Sequence, residues 1–398
     1  MNRILSINKN EDLKRELFKI GVSSQGVIAM FKKGRTLAIK LKDIKIGAAN
    51  IIKQDMLSIG GDAAVARGVV NGKVDRSDVI IFGNEKKINL LLHKLSNQDI
   101  FDIPQLITEI RNLVFFRNNP PQEINAMGKK IKFDKTKIMG ILNVTPDSFY
   151  DGGKYDQLEQ AKSRIEKMVI NGADIIDVGG ESTRPFADKI SLQEELDRVL
   201  PVIELASKNC DLPISIDTYK SEVAREAIAA GASIINDISG LGFDEKMADL
   251  VASYRNVPVI IMHIQGTPQN MQKEPKYDDV IEDLYFYFQN TIDRAKKSGI
   301  KDNNIIIDPG IGFGKTLEHN VEIIQKIGEF KSLGKPILLG CSNKSYLGKM
   351  LGADKSNRLF GTMATNSYAI MQGVQIIRVH EIAEHRDLID TLDYIGRN

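Results

Sequence analysis

The chain has 398 residues, of which 42% are hydrophobic and 27% are charged, and its formal net charge at pH 7 is +2. This composition is typical of a globular protein, and the length suits two domains. No apolar run approaches the roughly 18 residues that a membrane helix needs, and the first ten residues have no signal-peptide pattern, so we expect no membrane partner. The two cysteines, Cys210 and Cys341, follow no metal-binding spacing and favour a reducing, cytoplasmic location.

The charge is unevenly distributed along the chain. Residues 1–120 carry 20 Lys and Arg against 12 Asp and Glu, whereas the remainder carries 34 against 40. The change falls near FRNNPPQ, residues 116–122, whose Asn-Pro and Pro-Pro steps indicate a linker. We therefore predict one domain over 1–118 and a second over 119–398. The first domain's lysines are scattered and lack interleaved aromatic residues, which favours a solvated basic face over a nucleic-acid partner.

The first domain is predicted to be a small α+β domain. Its patterns predict strands at 26–39 and 79–82, helices at 50–57, 87–95 and 103–113, and a Gly/Ala-rich turn entering a possible helix at 59–67. No catalytic spacing occurs in it, so its role stays open.

Eight short apolar runs dominate the second domain, and helical periodicity fills most of the intervals between them. The runs are 137–144, 174–180, 213–218, 233–239, 258–264, 304–310, 336–342 and 375–380. This alternation predicts a (β/α)8 TIM barrel, in which the carboxyl ends of all strands meet at one mouth. The predicted ends carry Asn143, Glu181, Asp217, Asn236, Asp237, His263, Asp308, Lys344, Arg378 and His380. So many polar groups at one rim indicate an enzyme.

The first half of the barrel suggests sites for a cation, an anion and a heterocycle. The carbonyl oxygen of Asn143 suits a hard cation bound together with substrate phosphates, although an Asn that merely closes a turn is the alternative. In GGESTRP, residues 179–185, Arg184 suits an anion, or is an ordinary exposed Arg. Asp217 and Asn236 end neighbouring strands and suit an amino-substituted nitrogen heterocycle, whereas Asp237 is expected to form a structural bond across the barrel.

The fifth and sixth strands end at Met262 and Asp308. Met262 is either core packing or a floor for a flat ring. The segment DPGIGFGKT, residues 308–316, is not a P-loop, because Pro309 stands where the first glycine is required. It is predicted to be a tight glycine loop after a buried carboxylate.

The last two strands suggest anion binding. Lys344 and Ser345 begin a predicted helix, whose amino terminus suits a carboxylate. Arg378 and His380 are alternate residues on one face of a strand and predict an anion site, although His380 could simply cap the rim.

The motifs NVTPDSF, GGESTRP, SIDT, INDI, MHIQGTP, DPGIGFGK, the Ser-x-Lys-Ser segment and RVH occur in this order. Together they resemble the dihydropteroate synthase family over about residues 123–392. The resemblance implies condensation of 6-hydroxymethyl-7,8-dihydropterin pyrophosphate with 4-aminobenzoate, a Mg²⁺ requirement, inhibition by sulfonamides and a homodimer.

The resemblance also implies roles for particular residues. The implied catalytic residues are Asp217, Asp308, Lys344, Arg378 and Asp151. The implied substrate-binding residues are Thr183, Arg184, Asp217, Asn236, Met262, Asp308, Phe313, Lys344, Ser345, Arg378, His380, Phe149 and Pro185. Asn143 is implied as the metal ligand. The implied path is dissociative: a pterin-methylene cation is stabilised by buried carboxylates, while loops 145–154 and 182–191 exclude water.

Two residues depart from the family pattern, and three alternative functions stay open. Asn343 stands where the family usually has Arg, and Phe186 where Gly is common. A methyltetrahydrofolate-binding methyltransferase would not need the Arg-x-His pair, and a non-catalytic pterin-binding module would lack the metal Asn and the loop acids Asp147 and Asp151. A Schiff-base lyase would use Lys344.

Overall fold

The computed structural model describes residues 3–5, 7, 10–144, 154–183, 188–352 and 358–397. The chain divides into two compact units, Met1–Asn118 and Asn119–Asn398. The loop residues predicted to surround the second substrate lie outside the described residues: Asp147, Phe149, Asp151, Arg184, Pro185 and Phe186.

The first unit is an α+β fold, as predicted. In chain order its elements are α1 (Asn10–Lys19), α2 (Ser24–Phe31), β1 (Thr36–Lys45), α3 (Ile46–Ser58), β2 (Asp62–Val65), β3 (Arg76–Asn84), α4 (Glu85–Leu95) and α5 (Ile103–Asn118). The strands form an antiparallel sheet in the order β1-β3-β2. Alternate residues of β3, among them Val79 and Ile81, are fully buried and form one core with apolar residues of α3, α4 and α5.

Two predictions in this unit were wrong. The first half of the strand predicted at 26–39 is α2, which begins because the Ser23 side chain accepts a hydrogen bond from the Gly26 backbone N–H. The segment 59–67 contains β2 where a turn into a helix was predicted. There Ala63 pairs with Ile81 of β3 and is buried, so strand pairing overrides the weak local preference of a Gly/Ala-rich segment.

The second unit is a TIM barrel, as predicted. Its strands are β4 (Glu123–Ala126), β5 (Lys129–Lys132), β6 (Lys137–Asn143), β7 (Ile175–Gly179), β8 (Ile214–Asp217), β9 (Ile234–Asp237), β10 (Val259–Met262), β11 (Ile305–Asp308), β12 (Leu338–Leu339) and β13 (Ile376–Val379). Its α-helices are α6 (Lys154–Ile170), α7 (Leu192–Asn209), α8 (Ser221–Ala230), α9 (Met247–Ser253), α10 (Val280–Lys297), α11 (Leu317–Lys326), α12 (Ser345–Leu351), α13 (Leu359–Gln372) and α14 (Ile382–Arg397).

The barrel strands form one parallel sheet that closes on itself. Their order is β11-β10-β9-β8-β7-β6-β13-β12, and a parallel bridge between Ile307 and Ile337 joins the two ends of this order. The strands are short and rich in isoleucine, because a β-branched side chain packs well on both faces of a fully covered parallel sheet. Within the described residues, no helix is long and apolar enough to span a membrane.

The amino-terminal end of the barrel is closed by a hairpin. Strands β4 and β5 pair antiparallel and contribute Ile124, Ala126 and Ile131 to a separate apolar cluster. The other members of this cluster come from seven barrel strands: Met139, Ile175, Ile234, Ile260, Ile306, Leu338 and Ile376. Several of these are the first residues of their strands, so apolar packing fills the lower barrel and leaves the carboxyl ends for polar groups.

We predict that Ile124→Ala lowers the free energy of unfolding by about 3 kcal/mol, because it leaves a cavity in this cluster. Ile124 is 3% exposed. Ile170→Ala is the matched control, since Ile170 is 82% exposed and its truncation should change stability by less than about 0.5 kcal/mol. Urea denaturation of both variants measures the difference, and equal stabilities would show that the hairpin does not seal the barrel.

Candidate active site

An ion triad lies at the centre of the mouth. Arg378 of β13 donates from Nε to Oδ2 of Asp177 on β7 at 2.6 Å, and from Nη2 to Oδ2 of Asp217 on β8 at 2.7 Å. Asp177 is completely buried and Asp217 is 8% exposed. Two buried carboxylates would strongly destabilise the fold without a cation, and the planar guanidinium serves both at once.

Two carboxylate oxygens of the triad are left without a donor. Asn236 donates from Nδ2 to Oδ2 of Asp177 at 3.2 Å, and it is also the register partner of Asp217. Oδ1 of Asp177 and Oδ1 of Asp217 are both buried and have no hydrogen-bond partner among the residues described. An unsatisfied buried acceptor costs about 1–3 kcal/mol, so these oxygens indicate a place for N–H or O–H donors of a ligand.

The electrostatics of the triad differ between its members. Burial raises the pKa of Asp217 to about 7, in opposition to Arg378, and the neighbouring Asp177 carboxylate raises it further. Burial acts to lower the pKa of Arg378, but the two carboxylates outweigh that effect and raise it. Arg378 therefore stays charged, while Asp217 is poised to take or lose a proton near neutral pH.

A third carboxylate reaches the same space from β11. Oδ1 of Asp308 accepts from the backbone N–H of Gly310 at 2.8 Å, and no described residue bonds Oδ2. A Cβ at Gly340 would lie 3.8 Å from this Oδ2 and 3.8 Å from Cβ of Arg378. Asp308 and Arg378 therefore border one shared space. Burial raises the pKa of Asp308, in opposition to Lys344.

Lys344 and Phe313 line the neighbouring part of the mouth. Lys344 precedes α12, whose start at Ser345 is where the sequence predicted a helix. Its Nζ donates to the backbone oxygen of Ile311 and lies 4.3 Å from the centroid of the Phe313 ring. Burial lowers the pKa of Lys344 to about 8, although Asp308 opposes that shift. Ser345 is exposed.

The glycine loop after β11 is shaped by backbone packing. Gly310 and Gly314 have φ values of 67° and 62°, and a Cβ on them would lie 2.0 Å from the carbonyl oxygen of His263 and 2.7 Å from that of Gln265. The loop therefore lies directly on the segment after β10, which only glycine permits. Lys315 joins the two segments, with Nζ 3.0 Å from Nδ1 of His263 and also donating to the carbonyl oxygens of His263 and Phe313.

Asn143 is the residue predicted to bind a metal. It is half-buried at the end of β6, and its side chain has no hydrogen-bond partner in the described part of the chain. A Cβ at Gly179 would lie 3.7 Å from Oδ1 of Asn143 and 3.7 Å from Oδ2 of Asp217. No group of three or more His, Cys, Asp or Glu residues suited to a metal occurs in the described ranges. These residues fit a Mg²⁺ ion that is held mainly by water and by ligand phosphates.

Several predicted strand-end residues have structural partners. Asp237 accepts from the backbone of Ser239 and Leu241, in the segment after its own strand, so the prediction of a bond across the barrel was wrong. Glu181 accepts from the Tyr219 hydroxyl at 2.8 Å and from Lys220 Nζ at 2.7 Å.

Arg378 and His380 are the residues predicted to form an anion site. Arg378 has two carboxylate partners, Asp177 and Asp217. His380 is exposed, and its Nδ1 lies 2.9 Å from Oγ of Ser342.

Sequence reasoning missed Asp177. An acidic residue inside the apolar run IIDVG points into the barrel, and that placement was a usable signal.

The structure places Met262 in a buried position next to Gly310 but outside the apolar clusters. Thr183 is half-buried and directly precedes residues 184–187, which lie outside the described residues.

Comparisons with known proteins agree on one family. A family model described as "Pterin binding enzyme" matches residues 139–380. A dihydropteroate synthase of Synechocystis sp. is 44% identical over 264 residues, which is 66% of this chain and 91% of that protein. A probable bifunctional folylpolyglutamate synthase/dihydropteroate synthase of Halobacterium salinarum is 37% identical over 95% of this chain and 45% of its own length. A Xanthomonas albilineans dihydropteroate synthase structure with 4-aminobenzoic acid has a TM-score of 0.65 at 38% identity, covering 69% of this chain and 98% of that one.

We predict that Asp217→Asn changes how stability depends on pH. The folded-state pKa of Asp217 lies above its unfolded value of about 3.9, so its contribution is fully present below pH 4 and is lost as pH rises to about 7. Relative to Asp217→Asn, the wild-type free energy of unfolding should therefore decline over this window, by at most about 1.4 kcal/mol per pH unit. Urea denaturation between pH 4 and pH 8 measures it, and parallel curves for the two proteins would contradict the assignment.

Proposed function

Since the chain belongs to the pterin-binding enzyme family, we propose that it is the transferase that condenses 6-hydroxymethyl-7,8-dihydropterin pyrophosphate with 4-aminobenzoate. The products are 7,8-dihydropteroate and pyrophosphate. The observation that carries this proposal is the pair of buried, donor-free oxygens on Asp177 and Asp217 beside the open Oδ2 of Asp308. Three carboxylate acceptors in one mouth suit a ligand edge rich in N–H groups, as an aminopyrimidine ring offers.

The carboxylates bind and orient the pterin ring. Asp308 has one oxygen fixed by Gly310 and the other open to the mouth, so it accepts a hydrogen bond without rearrangement. Asn236 keeps its side-chain oxygen for a donor while its nitrogen bonds Asp177. Met262, buried beside Gly310, offers an apolar surface to a flat ring.

The same groups favour departure of pyrophosphate. The reaction breaks the bond between the pterin methylene carbon and a phosphate oxygen, and the electron pair leaves with that oxygen. Positive charge then develops on the pterin, where fixed carboxylates stabilise it more than they stabilise the ground state. The neutral amine of 4-aminobenzoate attacks the methylene carbon and loses a proton. Arg378 orients Asp177 and Asp217, and Lys344 adds a positive charge to the mouth.

The metal is part of the proposal. Asn143 would hold a Mg²⁺ ion through its amide oxygen, and such an ion neutralises phosphate charge. Asp217 lies near Asn143 and would place negative charge beside such an ion.

We also propose a homodimer in the cytoplasm. Helix α13 exposes Phe360, Tyr368 and Met371 on one side, and large apolar side chains grouped in this way favour association. Cys210 and Cys341 are both unpaired, as expected in a reducing compartment. Light scattering coupled to size exclusion tests the dimer, and a mass of 44.3 kDa at micromolar concentration would contradict it.

The reaction itself is the first test of the proposal. The full chain, mixed with pterin pyrophosphate, 4-aminobenzoate and Mg²⁺, should release pyrophosphate and form dihydropteroate in equal amounts. Pyrophosphate release that does not depend on 4-aminobenzoate would contradict the proposed transfer.

We predict that Asp308→Asn weakens pterin binding by about 2 kcal/mol, because a neutral amide replaces a charged acceptor. Calorimetry with a pterin ligand measures the affinity, and the melting temperature verifies the fold. Asp293→Asn on α10 is the matched control, since Asp293 is exposed. Unchanged affinity in a folded Asp308→Asn protein would remove Asp308 from the site.

We predict that EDTA abolishes turnover and that Mg²⁺ restores it. Asn143→Ala should raise the Mg²⁺ concentration needed for half-maximal activity by about tenfold while leaving pterin binding nearly unchanged, because the ion acts on the phosphates. Full activity in EDTA, or a Mg²⁺ requirement that Asn143→Ala leaves unaltered, would show that Asn143 is not a metal ligand.

A further inference from the structure

A short hydrogen-bonded chain connects His380 to a carboxylate at the rim of the barrel. Oγ of Ser342 lies 2.9 Å from Nδ1 of His380 and 3.3 Å from Oε2 of Glu381. Ser342 is 7% exposed, whereas His380 is exposed, so the link lies largely inside while the imidazole reaches solvent. Sequence reasoning assigned no role to Glu381.

The other oxygen of Glu381 has a neutral partner. Nδ2 of Asn343 donates to Oε1 of Glu381 at 2.8 Å. Asn343 is held in the left-handed region, with φ at 57°, and its carbonyl oxygen accepts from Nη1 of Arg358 at 2.6 Å. No ion pair of Glu381 occurs within the described ranges, so its negative charge has no paired cation of its own there.

The hydroxyl of Ser342 can serve His380 in either protonation state. It carries one proton, so it donates to Nδ1 of a neutral imidazole or to Glu381, but not to both. When His380 is an imidazolium, its Nδ1–H donates to Oγ, and the hydroxyl proton turns towards Oε2 of Glu381. The neutral Nδ1–H tautomer can make the same chain, but without a positive charge. The imidazolium directs its charge through one hydroxyl at a carboxylate, and this electrostatic attraction favours the charged form of His380.

Other charged groups lie on the surrounding elements. Arg378 on β13 is paired with two carboxylates, Lys344 donates to a backbone oxygen, and Arg358 is directed at Asn343. Helix α14 adds the exposed Glu384 and the buried His385, whose Nδ1 lies 2.5 Å from the backbone oxygen of Glu381. Glu381 is linked to His380 through the hydroxyl of Ser342.

We propose that Glu381 is a positioning residue that acts through Ser342 to favour the imidazolium form of His380, which makes His380 a pH-dependent cation for the departing pyrophosphate. The assignment of pyrophosphate as the anion rests on the proposed function. Asn343 contributes by binding Glu381 without neutralising it. A cation at position 343 would pair with Glu381 and weaken its effect on His380.

The hydrogen-bonded chain is tested by titrating His380 in the full-length protein. Nuclear magnetic resonance of histidine-labelled protein follows five imidazoles, and His380→Gln identifies the signal that belongs to His380. Glu381→Gln, Ser342→Ala and Asn343→Arg should each lower the pKa of His380 by about half a pH unit. Glu384→Gln is the matched control, because it removes a carboxylate from α14 that has no bond to Ser342, and its titration should follow the wild type.

Two results would overturn the proposal. A Glu381→Gln titration that matches Glu384→Gln would show that the Glu381 carboxylate does not act on His380. A shift in Glu381→Gln without one in Ser342→Ala would show that Ser342 does not transmit the effect. Melting temperatures within a few degrees of the wild type verify that each variant is folded.

Binding of inorganic pyrophosphate tests whether the hydrogen-bonded chain from His380 to Glu381 affects the proposed reaction. By calorimetry from pH 5.5 to pH 8.5, wild-type affinity should fall as pH rises through the His380 pKa. In Glu381→Gln the fall should occur at lower pH, which weakens binding about twofold at the wild-type midpoint. Failure of the wild type to bind pyrophosphate at any pH would contradict the proposed function, and the His380 titration is independent of that result. Binding whose pH dependence is the same in both proteins would contradict the role of Glu381.

Discussion

One arginine shared between two buried carboxylates determines the chemistry of this mouth. Without Arg378, Asp177 and Asp217 would each have to lose its charge or leave the interior, because an unpaired buried carboxylate is very costly. With it, each keeps one oxygen on the guanidinium and offers the other to the cavity. The fold therefore presents acceptors that are fixed before a ligand arrives, which is the arrangement that favours a developing positive charge.

The rest of the barrel supports that triad by separating apolar from polar layers. Isoleucines fill the lower interior, and the β4–β5 hairpin closes it with Ile124 and Ile131. A glycine allows close approach in the upper layer, because Gly310 lets the loop after β11 lie on the segment after β10. Lys315 and His263 join those two segments, and the carboxylates themselves lie within strands β7, β8 and β11.

Much of this arrangement follows from sequence periodicity, because a buried parallel strand is a short apolar run that ends where polar residues begin. The adjacency of Asp217 and Asn236 followed from that pattern and from the parallel order of the strands. The direction of a side chain does not follow from it. Asp237 bonds its own loop, and Arg378 turns to two acids that lie far away in sequence.

Tertiary context also decided the elements that were predicted wrongly. Residues 59–67 have weak local preferences, and pairing with β3 makes part of them a strand. Residues 24–31 are apolar enough for a strand, yet the cap from Ser23 and the later start of β1 make them a helix. Asp177 lies inside an apolar run, and a charge in that position indicates a buried partner of opposite charge. The sequence does not identify that partner, because Arg378 lies on a distant strand of the chain.

The most direct test of the shared-arginine account is a double-mutant cycle on Asp177 and Arg378, measured as free energies of unfolding at pH 7. Arg378→Met alone should destabilise the protein by about 3–5 kcal/mol, because it leaves two buried carboxylates without a cation. Asp177→Asn in the same background should recover part of that loss, so the double variant should be more stable than the sum of the single changes predicts by at least about 1 kcal/mol. Additive effects of the two substitutions would contradict the account.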